Sequence, residues 1–117
     1  MSRLTQATVE RPLADAAYVA AGAASLAPGT AEARSVAGRD FIVARSQDGE
    51  YHAVAALCSH AHLSLAGGRV RGVSLICPHH GARFCLKTGR PLGPPAHEGI
   101  VAYPTRVEDG EVMIWPL

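Results

Sequence analysis

Two short runs hold the residues best suited to chemistry: Cys58-Ser59-His60 and, after sixteen intervening positions, Cys77-Pro78-His79-His80-Gly81. Cys58, His60, Cys77 and His80 offer two thiolates and two imidazoles. Each iron of a [2Fe-2S] unit already carries two bridging sulfides and needs two protein ligands to complete a tetrahedron. A mixed set of this kind can therefore hold such a cluster with the cysteines on one iron and the histidines on the other. The same four donors could instead bind one tetrahedral zinc ion. Against zinc, each run supplies one cysteine and one histidine, whereas zinc fingers usually pair like with like.

The flanks add Leu63-Ser64-Leu65-Ala66-Gly67-Gly68 after the first run and Gly81-Ala82-Arg83-Phe84-Cys85-Leu86-Lys87-Thr88-Gly89 after the second. With these, the pattern C-x-H…C-x-x-H-G resembles the Rieske iron–sulfur family. The resemblance implies that Cys58 and Cys77 hold an inner iron and His60 and His80 an outer, electron-delivering one. It implies an all-β fold, antiparallel sheets with a small cluster-binding subdomain (56–96) inserted in a β base. High-potential members carry an extra disulfide between the two cluster loops, but Leu63 and His79 stand in those places here. Members of that branch also present a serine and a tyrosine hydroxyl after the second loop, and the matching positions are Ala82 and Phe84. Without those donors to stabilise the reduced state, the expected potential lies toward the low end of the Rieske range, roughly −150 mV.

A chain of 117 residues is close to one domain, so a single Rieske domain over 1–117 is expected, with 1–15 as a loose tail. Rieske terminal oxygenases continue into a second, mononuclear-iron domain, for which a chain of this length is expected to have little room. No phosphate-binding glycine loop or nucleophile elbow appears. The N-terminal stretch lacks the look of an export signal, no run reaches the ~18 apolar residues of a membrane span, and three cysteines suggest no disulfide framework. Cytoplasmic localisation and no membrane association are expected. Net charge is +1, with few aromatics, which argues against nucleic-acid binding.

The positioning elements read as short strands. Phe41 to Arg45 and Tyr51 to Ala55 flank Asp48-Gly49, a hairpin signal; Tyr103 to Val107 and Glu111 to Trp115 flank Asp109-Gly110, a second. Val73 to Ile76 leads into the second run. Ala14 to Ala27 is Ala-rich and suits a helix ended by Pro28-Gly29, whereas the resemblance places a first strand near Tyr18-Val19-Ala20. Pro91-Leu92-Gly93-Pro94-Pro95 reads as a stiff loop, the proline loop of the resemblance. Cys85 is expected to pack beside Phe84 as a small hydrophobe. His52 and His97 read as structural, and His62 and His79 as neighbours of the cluster.

From Cys58 to Ala96 the chain carries Arg69, Arg71, Arg83, Lys87 and Arg90 and no Asp or Glu. A carrier docking through its His60/His80 end would present a positive rim there, unless the side chains scatter around the lobe. The resemblance implies a Rieske-type ferredoxin that is not itself an enzyme. Such a protein binds one [2Fe-2S] cluster and passes single electrons from an NAD(P)H-dependent flavin ferredoxin reductase to the terminal oxygenase of an aromatic-ring-hydroxylating dioxygenase system. The alternative is an enzyme-bound module, such as the small subunit of an assimilatory nitrite reductase.

Overall fold

Apolar residues run without a gap through Phe41-Ile42-Val43-Ala44, and the strand they form is buried on both faces. The structure, a computed structural model, describes residues 18–59 and 62–116. In chain order its strands are β1 (Val19–Ala23), β2 (Thr30–Val36), β3 (Arg39–Arg45), β4 (Tyr51–Ala55), β5 (Arg69–Arg71), β6 (Ser74–Ile76), β7 (Arg83–Cys85), β8 (Ala102–Tyr103), β9 (Thr105–Glu108) and β10 (Glu111–Ile114). Every strand pairing is antiparallel, and no helix occurs among the described residues.

Three sheets result, ordered β1-β10-β9, β2-β3-β4-β8 and β5-β6-β7. The middle one is the partition. Side chains alternate along a strand, so Phe41, Val43 and Ala53 point one way and pack with Ala21, Val112 and Ile114. Ile42, Ala44 and Val54 point the other way and pack with Leu65, Leu75, Phe84 and Leu86, together with Cys58 and Cys77. Each such fully buried Leu, Ile or Phe contributes roughly 1.5–3 kcal/mol of burial. The second core is thus the floor on which both cysteines sit.

Both hairpin expectations hold. Gly49 turns at φ 93°, and Asp109 and Gly110 have φ 52° and 77°, as a type I′ turn requires. The final pair is shorter than the sequence suggests, because Pro104 separates β8 from β9 and lets the chain move from the middle sheet to the outer one. Of the Ala14–Ala27 stretch, the described part is strand from Val19 to Ala23, not helix: Ala21 fills the first core, and Gly22 at φ 97° interrupts the pairing. The expected 1–15 tail lies outside the described residues. Residues 91–95 contain no strand beyond a single bridge from Pro91 to Phe84.

Cys85 departs from expectation. It neighbours the buried Phe84 along β7, so the pleat turns its side chain to the opposite, outer face, where it is half-buried rather than packed in the core. Burial pushes the thiol's pKa up, but hydrogen bonds from the Thr88 hydroxyl and from the backbone at Thr88 and Lys87 outweigh this and hold it below the ordinary range.

Candidate metal centre

The two runs fold into matching loops. In the first, the Cys58 N–H donates to the Leu63 carbonyl (2.8 Å) and the His62 N–H returns to the Cys58 carbonyl (2.8 Å). In the second, the Cys77 N–H donates to the Ala82 carbonyl (2.7 Å) and the Gly81 N–H returns to the Cys77 carbonyl (3.2 Å). Each chain reversal requires a residue of positive φ at the same place, His62 at 56° and Gly81 at 75°. Glycine at 81 was a readable signal; a histidine at 62 gave none.

Neighbouring segments fix the loops relative to each other. The bridge between Leu57 and Ser64 and the bond from Leu65 N–H to the Ala56 carbonyl (2.7 Å) close the base of the first loop. Gly68 then passes between that loop and β6, the strand that delivers Cys77. A Cβ at Gly68 would stand 2.8 Å from the Ile76 carbonyl oxygen and 2.9 Å from that of Leu65. Only glycine allows this approach, a constraint invisible in the sequence run. The proline loop is tied to β7 by the Arg83 guanidinium, which donates to the Leu92 carbonyl (3.2 Å), and the segment that follows it is tied to the first loop by the Ser59 hydroxyl, which donates to the Glu98 carbonyl (2.5 Å).

Burial separates the donor types. Cys58 and Cys77 are 1% and 3% exposed, whereas His80 lies on the exposed turn 78–80. His60 lies outside the described residues. His79 and His62 are exposed beside the loops, and His97 is exposed beyond them. Among the described residues, Cys58, Cys77 and His80 do not bring three donor atoms within 4.8 Å of one another. A single tetrahedral zinc would gather its donors within about 4 Å. Buried thiols with an imidazole on an exposed turn fit a two-iron unit that takes one ligand type on each iron. Ala82 and Phe84 are fully buried and offer no side-chain hydrogen bond.

Among the described residues, Asp48, Glu50 and His52 at the β3–β4 turn also bring metal-ligating residue types together. Here His52 has a structural explanation: it is buried, and its Nε2 lies 3.0 Å from the Ser46 hydroxyl. That hydroxyl also donates to Asp48. Burial pushes the His52 pKa down, against the pull of Glu50 and Asp48.

Comparison with known proteins agrees with this geometry. The family description "Rieske [2Fe-2S] domain" matches residues 16–104. The 3-phenylpropionate/cinnamic acid dioxygenase ferredoxin subunit of Escherichia coli (strain K12) is 40% identical over 67 residues, 56% of this chain; the match spans only 63% of that relative's length. The ferredoxin of carbazole 1,9a-dioxygenase from Nocardioides aromaticivorans superposes with a TM-score of 0.78 at 31% identity, covering 86% of this chain and 98% of that one. The ferredoxin in a complex of reduced oxygenase and oxidized ferredoxin in carbazole 1,9a-dioxygenase gives 0.74 at 30% identity, over 84% of this chain and 92% of that one. A chain that matches the family description across both cysteine loops and superposes on its ferredoxins almost end to end belongs to the Rieske [2Fe-2S] family, with one Rieske-type [2Fe-2S] cluster as its cofactor.

Proposed function

We propose that the protein is a one-electron carrier, the ferredoxin component of an aromatic-ring-hydroxylating dioxygenase system. It receives electrons from an NAD(P)H-dependent flavin reductase and delivers them to a Rieske terminal oxygenase. The observation that carries this is the division of the donor set, thiols in the core and an imidazole on an exposed turn, in a chain similar along its length to dioxygenase ferredoxins. Cys58 and Cys77 anchor the cluster on the buried side and His60 and His80 hold it on the outer side, within the segment 56–96. When bound, the cluster supplies reversible one-electron chemistry at a potential above that of an all-cysteine site.

The chain's own residues set how that chemistry is used. Leu65, Leu75 and Phe84 keep water from the thiolate side. The exposed turn at 78–80 puts the His80 imidazole where a partner can approach. The ferredoxin–oxygenase complex of the carbazole system supports an oxygenase as acceptor. No described helix is long and apolar enough to cross a membrane, and Cys58, Cys77 and Cys85 form no disulfide. A reducing cytoplasm suits this thiol chemistry. Reconstitution tests the role: holoprotein added to a purified ferredoxin reductase and Rieske oxygenase should make NADH oxidation depend on aromatic substrate. Failure with every such pair, alongside tight co-purification with a nitrite-reducing enzyme, would replace the carrier by an enzyme-bound module.

A further inference from the structure

The small sheet beside the second loop has one buried face and one charged face. Its register pairs Arg69 with Ile76 and Ile76 with Arg83, and in the next row on the same face Arg71 with Ser74 and Ser74 with Cys85. Directly paired residues share a face. Between those rows Val70, Leu75 and Phe84 point inward, with Leu75 and Phe84 fully buried. The outer face therefore gathers Arg69, Arg71 and Arg83, all exposed, around the half-buried Ile76, whose next residue is Cys77.

No ion pair among the described residues involves these three arginines, and no Asp or Glu occurs from Cys58 to Ala96. Lys87 is different: its ammonium sits 4.0 Å from Asp48 and 3.8 Å from Glu50, so it faces the β3–β4 turn. The positive rim of the sequence reading is thus neither an even ring nor a scatter. Three of its five cations share one face, bordered by exposed Leu92, whose carbonyl Arg83 contacts, while Lys87 and the exposed Arg90 lie beyond the end of β7.

We propose that this Arg69–Arg71–Arg83 face docks a carboxylate-rich patch on the terminal oxygenase and so sets the side from which the acceptor approaches the cluster loops. The inference rests on the carrier reading. Its chemistry favours protein over nucleic acid. Apolar Ile76 lies in the same row as Arg69 and Arg83, and the only Phe, Tyr or Trp from Cys58 to Ala96 is Phe84, which is buried and cannot stack on a base.

The test compares the holoprotein with R69Q/R71Q/R83Q and with A20E/S25E/A27E, which makes the same change in net charge at exposed positions on the β1 side. R69Q/R71Q, which keeps the Arg83–Leu92 contact, guards against a folding defect. Reduced proteins are mixed in stopped flow with anionic ferricyanide, with cationic hexaammineruthenium(III) and with a Rieske oxygenase that supports turnover. At low salt the arginine variants should lose about tenfold in rate toward ferricyanide and toward the oxygenase, and gain toward the ruthenium complex. The β1-side variant should change each rate about twofold or less. Equal effects of the two charge changes, or normal oxygenase transfer by the arginine variants, would overturn the proposal. Salt-sensitive, face-dependent retention on duplex DNA with unaltered oxygenase transfer would assign the face to phosphate instead. If no oxygenase accepts electrons from the wild type while the small-oxidant contrast persists, the carrier reading fails and the charged face stands without it.

Discussion

His62 and Gly81 hold the same position in two different loops. Each lies four residues after a cysteine, returns its N–H to that cysteine's carbonyl, and does so at positive φ. The cluster loops are therefore two copies of one backbone device, one copy built with the residue type that suits it and one without.

That asymmetry predicts opposite tolerances. A Cβ at Gly81 would meet nothing within 4 Å, so Gly81→Ala costs only the backbone strain of the left-handed region, about 1 kcal/mol after the gain in chain stiffness. His62→Gly relieves the same strain and should leave stability within about 0.5 kcal/mol of wild type, whereas His62→Val should cost about 2 kcal/mol. Urea unfolding of the holoproteins measures all three, and a strongly destabilised His62→Gly would show that the imidazole itself holds the loop.

Gly68 sets the spacing between the loops. Gly68→Ala drives a methyl against two carbonyl oxygens that cannot move independently of Leu65 and Ile76. A loss of about 2 kcal/mol is expected, together with faster release of iron to a chelator than in Gly67→Ala. Equal release rates in the two variants would remove Gly68 from the role of spacer.

Much of this was legible, and the illegible parts share a cause. The motif drew attention to Cys58 and Cys77, and the Phe41–Ala44 run with its Asp-Gly turn marked the central hairpin, because both signals are local. Strands β5 and β7 went unread: three residues each, with arginines on the outer face, they are too short to show a period. β2, which has no fully buried residue, is a strand through its pairing with β3. Gly68 and the shared face of Arg69 and Arg83 depend on sheet register, which no single segment encodes.

Hydrogen-bond donors restored beside the cluster should raise its potential. Ala82→Ser and Phe84→Tyr place hydroxyls at buried positions that now offer none. A bond stronger by roughly 1 kcal/mol in the reduced state raises a one-electron potential by roughly 40 mV. Voltammetry of the single and double variants should show positive shifts that add approximately. No shift in any variant would mean that these positions do not face the cluster.

Acid sensitivity should trace in part to His52. Burial holds its folded pKa below the ordinary 6.5, so between those two values the unfolded chain binds more protons. Stability then falls as pH drops through 6.5 and levels off below the folded value. His52→Gln keeps a partner for Ser46 and should flatten that part of the profile in urea midpoints from pH 5 to 7.5. Parallel profiles would place the sensitivity elsewhere.

The most direct measurement is iron and acid-labile sulfide analysis of the holoprotein, combined with nitrogen-resolved electron nuclear double resonance of its reduced state. Two irons and two sulfides per chain are predicted, reduced by one electron, with couplings from two imidazoles that disappear singly in His60→Cys and His80→Cys. Zinc without sulfide, or nitrogen couplings that survive both substitutions, would contradict a cluster held by Cys58, Cys77, His60 and His80.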